Sequence, residues 1–358
     1  MKEFTREDTK FIKGIAIILM FYHHVFCFPE RIGYAEYFSI FSFQGHETAN
    51  IIGSFGKICV ALFVFLSGYG TYKSVQNTDN ICNKLGKKIL GLYKVYWEVL
   101  IVFVPVCFIM NVPQVEKSIR ALILNFTAVE ISYNGEISFF TPFILLMLYT
   151  PIILWFSKKI NNIFVSLIVV VLMAQAGLYV VPQITNTVLG AGLADSYLYP
   201  IIIMPFPLLL AQYLSGIVCA KYDIISKIKD RYSGNLIAAF IALAVIGIVF
   251  YMRQFNGIIY DYIYAPVFTT AVIVLFANKV GNIVRRPIEY IGKHSTIMWL
   301  SHSFYCYYIM TSFIFMPKFS PLIILLLILI TLATSVIIQF VFGKLGMFVK
   351  KVNSFGKR

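Results

Sequence analysis

Two adjacent histidines close an apolar run that a lysine opens, "KGIAIILMFYHHVF" at residues 13–26. An imidazole titrates near pH 6.5, which suits a group that takes and returns a proton at neutral pH. An ammonium offers an anion a fixed positive charge. Both are costly in a bilayer, so their presence in such a run is a functional signal to be weighed. On a helix, the step of eleven residues from Lys13 to His24 leaves them about 20° apart on one face and about 16.5 Å apart along the axis. His23 points about 100° away from His24, so the two are not expected to share a task. A plainer reading stands beside this one, with Lys13 a snorkelling anchor and the histidines interfacial or packed against a neighbour.

A late stretch, "IGKHSTIMWLSHSFYCYY", repeats the theme. His302 follows Lys293 by nine residues, about 13 Å along a helix, which brings it to a depth close to that of His24. Ser295, Trp299 and His302 recur at i, i+4, i+7 and share a face. Two imidazoles at similar depth on helices that rise the same way point to a shared polar cavity. Glu98, in "YKVYWEVLIVF", is a carboxylate inside an apolar run, fit either to orient a histidine or to form a structural ion pair. His294 reads as interfacial and His46 as solvated in a loop. Gly53, Gly56, Ser67, Gly68 and Gly70 are small residues suited to close helix approach. No Walker loop, dinucleotide fingerprint or HExxH pair occurs, and no metal site is expected.

The elements that must carry these groups follow from composition. The 358 residues are 59% hydrophobic and 13% charged, about half the charged fraction usual in a soluble domain. Mean hydropathy is +0.81. A net charge of +14 comes with no soluble basic domain, so no nucleic-acid partner is expected. Spans of about 20 apolar residues fall at 11–29, 51–72, 89–110, 137–157, 161–182, 200–220, 235–252, 260–277, 292–316 and 320–343. They must be helices, because lone strands would leave backbone groups unpaired in lipid.

Ten spans put both termini on one side, with 24 of the 30 Lys and Arg residues. Only Arg31, Lys57, Lys117, Arg120, Arg253 and Lys318 lie opposite, which makes the terminal side cytoplasmic. The expected fold is therefore all-α, a polytopic membrane bundle of about ten transmembrane helices, with both termini cytoplasmic. A single domain over 1–358 in the plasma membrane is expected. The six cysteines show no CxxC pairing and read as small buried residues. "MKEFTREDTKFIK" lacks a small-x-small cleavage site after it, so an uncleaved first span is expected.

With these residues in view, the chain resembles the integral membrane acyltransferase family 3, whose members move acyl groups, usually acetyl, onto hydroxyls of cell-surface glycans. That family's first span carries an arginine, ten residues, then a histidine, and "KGIAIILMFYHH" matches with Lys13 in place of the arginine. "GKICVALFVFLSGYG" is similar to its glycine-hydrophobic-Phe-x-Leu-Ser-Gly stretch, at Phe63, Phe65, Leu66, Ser67 and Gly68. "ISFFTPFILLMLYTPII" is similar to a fourth-span segment that usually carries a tryptophan, where Phe139 and Phe140 stand. "YIGKHSTIMWLSHSFYCYY" resembles its late Gly-Lys-x-Ser…His helix. An aspartate usual before the arginine is replaced by Lys10.

The resemblance implies acetyl-CoA or another acyl-CoA as a cytoplasmic donor substrate and an extracellular or lipid-linked glycan as acceptor, with no permanently bound cofactor. A pantetheine arm of about twelve bonds, on the order of 15 Å, fits the Lys13–His24 separation. Lys13 is then expected to hold the donor's phosphate end, with help from Lys84, Lys87 and Lys88. His24 is the expected general base, and His302 and Ser67 either orient it or hold the tetrahedral oxyanion. A transporter or flippase of a glycan or lipid-linked intermediate is the alternative from another class. Pro205 and Pro207 break span six, but no matching break in the other half completes a repeat. Membrane lipid surrounds the chain in either case, and the small-residue face of span two permits an oligomer.

Overall fold

In the computed structural model the described residues are 2–33, 35–43, 45–76, 78, 80–180, 183, 206–277 and 279–355. In chain order the helices are α1 (Arg6–Phe26), α2 (Thr48–Gly56), α3 (Ile58–Val75), α4 (Ile81–Ile109), α5 (Ile119–Phe126), α6 (Phe140–Lys159) and α7 (Ile163–Gln175). There follow α8 (Phe206–Lys221), α9 (Ile224–Tyr232), α10 (Leu236–Asn256), α11 (Asp261–Leu275), α12 (Lys279–Ser303), α13 (Thr311–Phe315) and α14 (Ser320–Phe355). The only sheet among the described residues is a short antiparallel ribbon, β1 (Ser42–Phe43) with β2 (His46–Glu47). It exposes His46 in the loop after α1.

Each of the ten expected windows holds helix, with 181–182 and 200–205 outside the described residues. Pro205 lies outside them as well. Among the described residues, six helical stretches are long and apolar enough to cross a bilayer, or seven if α8 and α9, bent by 58°, count as one. Helices α1 and α12 are not among the six, because their lysines, arginines and histidines lower their hydropathy. The fold resolves this by placing them inside. Phe11, Ile12, Ala16, Ile17, Phe21 and Val25 of α1 are fully buried, while α10 and α14 turn Ile237, Phe240, Leu329 and Phe340 outward. Polar groups thus meet protein and apolar side chains face the lipid.

Local chemistry fixes α1 at both ends. Thr5 and Asp8 form a capping box: Thr5 Oγ1 accepts the Asp8 N–H at 3.2 Å, and Asp8 Oδ2 accepts the Thr5 N–H at 2.8 Å, satisfying donors the helix leaves free. Asp8, 1% exposed, also pairs with Lys229 at 2.5 Å and Arg285 at 2.7 Å, tying α1 to α9 and α12. At the other end the Tyr307 hydroxyl donates to the His24 carbonyl at 2.5 Å. Tyr307 stands in a π-helical stretch, Phe304–Ile309, that widens the chain after α12.

Contact between α1 and α12 is close because each offers a glycine to the other. A Cβ at Gly292 would lie 1.8 Å from the Lys10 carbonyl oxygen, and one at Gly14 would lie 2.1 Å from that of Ile288. In the second span Gly56 likewise abuts the Leu19 carbonyl of α1 and Gly68 the Tyr213 carbonyl of α8, whereas a Cβ at Gly70 would meet open space. Between α2 and α3 the helix breaks at Lys57. Arg253 donates to the carbonyls of Ser54 and Phe55 there, both at 3.0 Å, while forming a two-pronged pair with Asp261 at 2.8 and 3.0 Å. The carbonyls freed at the break are thereby satisfied.

Candidate active site

Two cavities open along the face of α1 that carries Lys13 and His24. The first, about 310 Å³, is lined by Lys13, Ser67, Thr71, Lys88 and Ser295 among others. Lys88 donates to Ser74 Oγ at 3.0 Å and lies 3.3 Å from Thr71 Oγ1. Among the described residues no carboxylate lines this cavity and none pairs with Lys13. A cation held in a partly dry pocket without a counter-ion is costly, and an incoming anion relieves that cost. The cavity is therefore chemically suited to an anion.

The second cavity, about 240 Å³, lies about three turns of α1 further on and is lined by His23, His24, Arg31, Lys57, Cys59 and Glu136 among others. Glu136 sits on a 3-10 turn, Gly135–Ile137, just before α6. One of its oxygens lies 2.6 Å from His24 Nδ1, although the approach is oblique to the ring N–H. Its other oxygen pairs with Arg31. Asn134 fixes the turn: its amide donates to the Leu300 carbonyl at 3.1 Å, and the Ser303 hydroxyl donates to its Oδ1 at 2.7 Å. The carboxylate is thus held against α12, two residues beyond the clamp.

A carboxylate beside Nδ1 is suited to hold the imidazole and to stabilise the imidazolium that forms on proton uptake, which leaves Nε2 as the atom free to take a proton. His23 also lines the cavity, with its ring 5.2 Å from that of His24. The 100° offset on the helix does not separate them, because the cavity wraps the last turn of α1. His23 Nδ1 donates to the Gly53 carbonyl at 2.9 Å. A neutral carbonyl orients a ring but supplies no charge, so His24 is the better-equipped base.

His302 stands behind His24, with the rings 4.9 Å apart and Phe21 stacked on it at 5.5 Å. It is fully buried and off the cavity wall. Its Nδ1 donates to the Trp299 carbonyl at 2.6 Å, so in the neutral ring Nε2, which has no hydrogen-bond partner among the described residues, carries the lone pair. A neutral His302 can position the His24 ring but has no hydrogen to give an oxyanion. Ser67 lines the Lys13 cavity and is absent from the His24 cavity. Of the four lysines considered for an anion, Lys13 and Lys88 share one cavity. Lys84 bonds the Ser74 carbonyl and Lys87 is exposed, and neither lines it.

Glu98 faces Lys94, 3.7 Å away on the next turn of α4, and meets no histidine. His294, expected at the interface, is instead buried against α14, with Nδ1 2.9 Å from Ser335 Oγ. The carboxylate that does meet a histidine, Glu136, escaped sequence reasoning. Its one sequence signal is a lone acid in "NGEISFF", between apolar stretches.

A family model described as an acyltransferase domain matches residues 8–340, nearly the whole chain. No curated protein and no solved structure gives a match. The chain belongs to this membrane acyltransferase family, the one its first-span and late-helix motifs resemble.

Proposed function

We propose that this acyltransferase moves an acyl group, acetyl in the simplest case, from cytoplasmic acyl-CoA to a hydroxyl of a glycan outside the plasma membrane. One observation carries the reading: a cationic cavity without acids and a cavity with a carboxylate–imidazole pair lie in line on one helix face. They share the wall formed by Phe63, Phe139 and Trp299. Lys13 and Lys88 bind the donor's phosphates, with Lys84 and Lys87 on the same turns of α4 nearer its start. The pantetheine arm, on the order of 15 Å, then carries the thioester to the shared wall, because Lys13 and His24 are about 16.5 Å apart.

At that point His24 Nε2 takes the proton of the acceptor hydroxyl as the oxygen attacks the thioester carbonyl. The tetrahedral intermediate collapses, the C–S bond breaks, and the coenzyme thiolate leaves. The imidazolium returns its proton to that sulfur, which regenerates neutral His24 and yields free coenzyme and the ester. Glu136 holds the ring and offsets the charge it bears between the two transfers. His302 and Phe21 keep the imidazole from turning away. Ser67, beside Lys13, orients the donor arm.

Donor binding and turnover by purified protein test this reading. Lys13→Ala is expected to raise the donor KM while keeping kcat near that of wild type. His24→Ala is expected to bind donor and turn none over. A wild-type protein that binds no acyl-CoA would move the glycan or lipid-linked flippase reading to the front.

A further inference from the structure

The two cavities are walled apart by Phe63 from α3, Phe139 from the turn before α6, and Trp299 from α12. Each is half-buried, with one side toward each cavity. Phe139 and Trp299 touch with ring centroids 5.3 Å apart. The backbone of Trp299 is itself tied to His302 by the 2.6 Å bond to its carbonyl, so the Trp299 part of the wall is joined to the ring behind the base. From this juxtaposition we infer that Phe63, Phe139 and Trp299 form a collar that selects the donor by the length of its acyl group.

The inference rests on the donor reading above and goes beyond it. The phosphate end is fixed at Lys13, and the arm is about as long as the distance to His24. The thioester carbonyl therefore reaches the collar and not far past it. Whatever lies beyond the carbonyl enters the His24 cavity, whose 240 Å³ must also admit the acceptor. Each added methylene has to pass three aromatic side chains from three separate elements and then occupies room the acceptor needs. Aromatic rings have few rotamers and pack rigidly, so the collar yields little. A single methylene in a fitted apolar site changes discrimination by about tenfold or more, enough for a collar to separate acetyl from longer groups.

The test compares acetyl-, butyryl- and hexanoyl-CoA as donors for the purified full-length protein, wild type beside Phe139→Ala, Phe63→Ala and Phe143→Ala. Phe143 packs on Phe139 at 5.1 Å but lines only the Lys13 cavity. Wild type is expected to prefer acetyl over hexanoyl by at least about tenfold in kcat/KM. Either collar variant lowers that preference about tenfold or more, whereas Phe143→Ala alters KM for all three donors alike. Phe139→Leu, which keeps an apolar side chain of intermediate size, guards against misfolding and is expected to fall between wild type and Phe139→Ala. An unchanged length profile in both collar variants overturns the collar while leaving the transferase standing. So does a wild type that takes hexanoyl as readily as acetyl. A wild type that consumes none of the three removes the donor reading and the collar together.

Discussion

Replacing Glu136 by Gln keeps the size and shape of the side chain and removes its charge. At the 2.6 Å separation from His24 Nδ1, a carboxylate and an imidazolium attract by about 6 kcal/mol at an effective dielectric constant of 20. Arg31 draws on the same carboxylate, and its side chain is 41% exposed. The cavity is also open to water. Halving the figure for those two effects leaves about 3 kcal/mol, felt only when the imidazole is charged, that is, during transfer and not while the donor is bound. On the transition-state scale this is about 150-fold in kcat. Loss of ring orientation adds to it, and removal of the orienting carboxylate in serine proteases costs about 10⁴. The expected fall is therefore between about 10² and 10⁴ in kcat, with the donor KM unchanged. The assay is acyl-CoA-dependent transfer by purified protein in detergent, with Tm measured on the same samples. A kcat within threefold of wild type, or a change confined to KM, would refute the reasoning and leave Glu136 as a partner of Arg31 alone.

Asn134→Ala releases the turn that carries Glu136 and is expected to lower kcat at least about tenfold. Asn134→Asp, which can still accept from Ser303, should recover part of that loss, whereas a merely structural role would show in Tm and not in this split. Gly292→Ala sets a methyl against the Lys10 carbonyl, 1.8 Å from its oxygen. Such overpacking costs about 1–3 kcal/mol and should lower the Tm of the detergent-solubilised protein. At Asp8, burial pushes the carboxyl up, but bonds from Lys229, the Thr5 backbone and Arg285 outweigh it and hold the pKa below the usual carboxylate range. The pair therefore stabilises the fold fully above the unfolded value of about 3.9, and that stability is lost as pH falls through the lower folded value. Asp8→Asn should destabilise by about 3–5 kcal/mol, since it strands two cations, one buried and one nearly so, and should flatten the acid side of a Tm-against-pH curve.

What the sequence made legible follows from helix geometry. The period of 3.6 residues places Lys13 and His24 on one face whatever packs against them, and the same rise gives His302 its depth. The helical windows were legible from hydropathy. The count of self-sufficient spans was not, because α1 and α12 owe their place to burial within protein. Glu98 drew attention because it lies in an apolar run, yet an i, i+4 lysine satisfies it. Glu136 lies in a three-residue turn with no period to reveal it, and a tertiary clamp between Asn134, Leu300 and Ser303 brings it to His24. Lys84 and Lys87 stand near Lys88 in sequence, but the setting of α4 against α3 turns only Lys88 into the cavity. Helical angle misled for His23, since a cavity at a helix end is reached from several sides.

The central claim is that donor and acceptor come from opposite faces of the membrane and meet at His24. The direct measurement uses sealed proteoliposomes in which orientation of the protein is fixed by removing the amino terminus of outward-facing copies with protease. Acetyl-CoA is supplied to one face and a soluble glycan acceptor to the other, with wild type beside His24→Ala. The account predicts acetylated glycan only when the donor is on the face that carries the amino terminus and the glycan is on the other, and none with His24→Ala. Transfer with both substrates on one face, or transfer that survives His24→Ala, would contradict it.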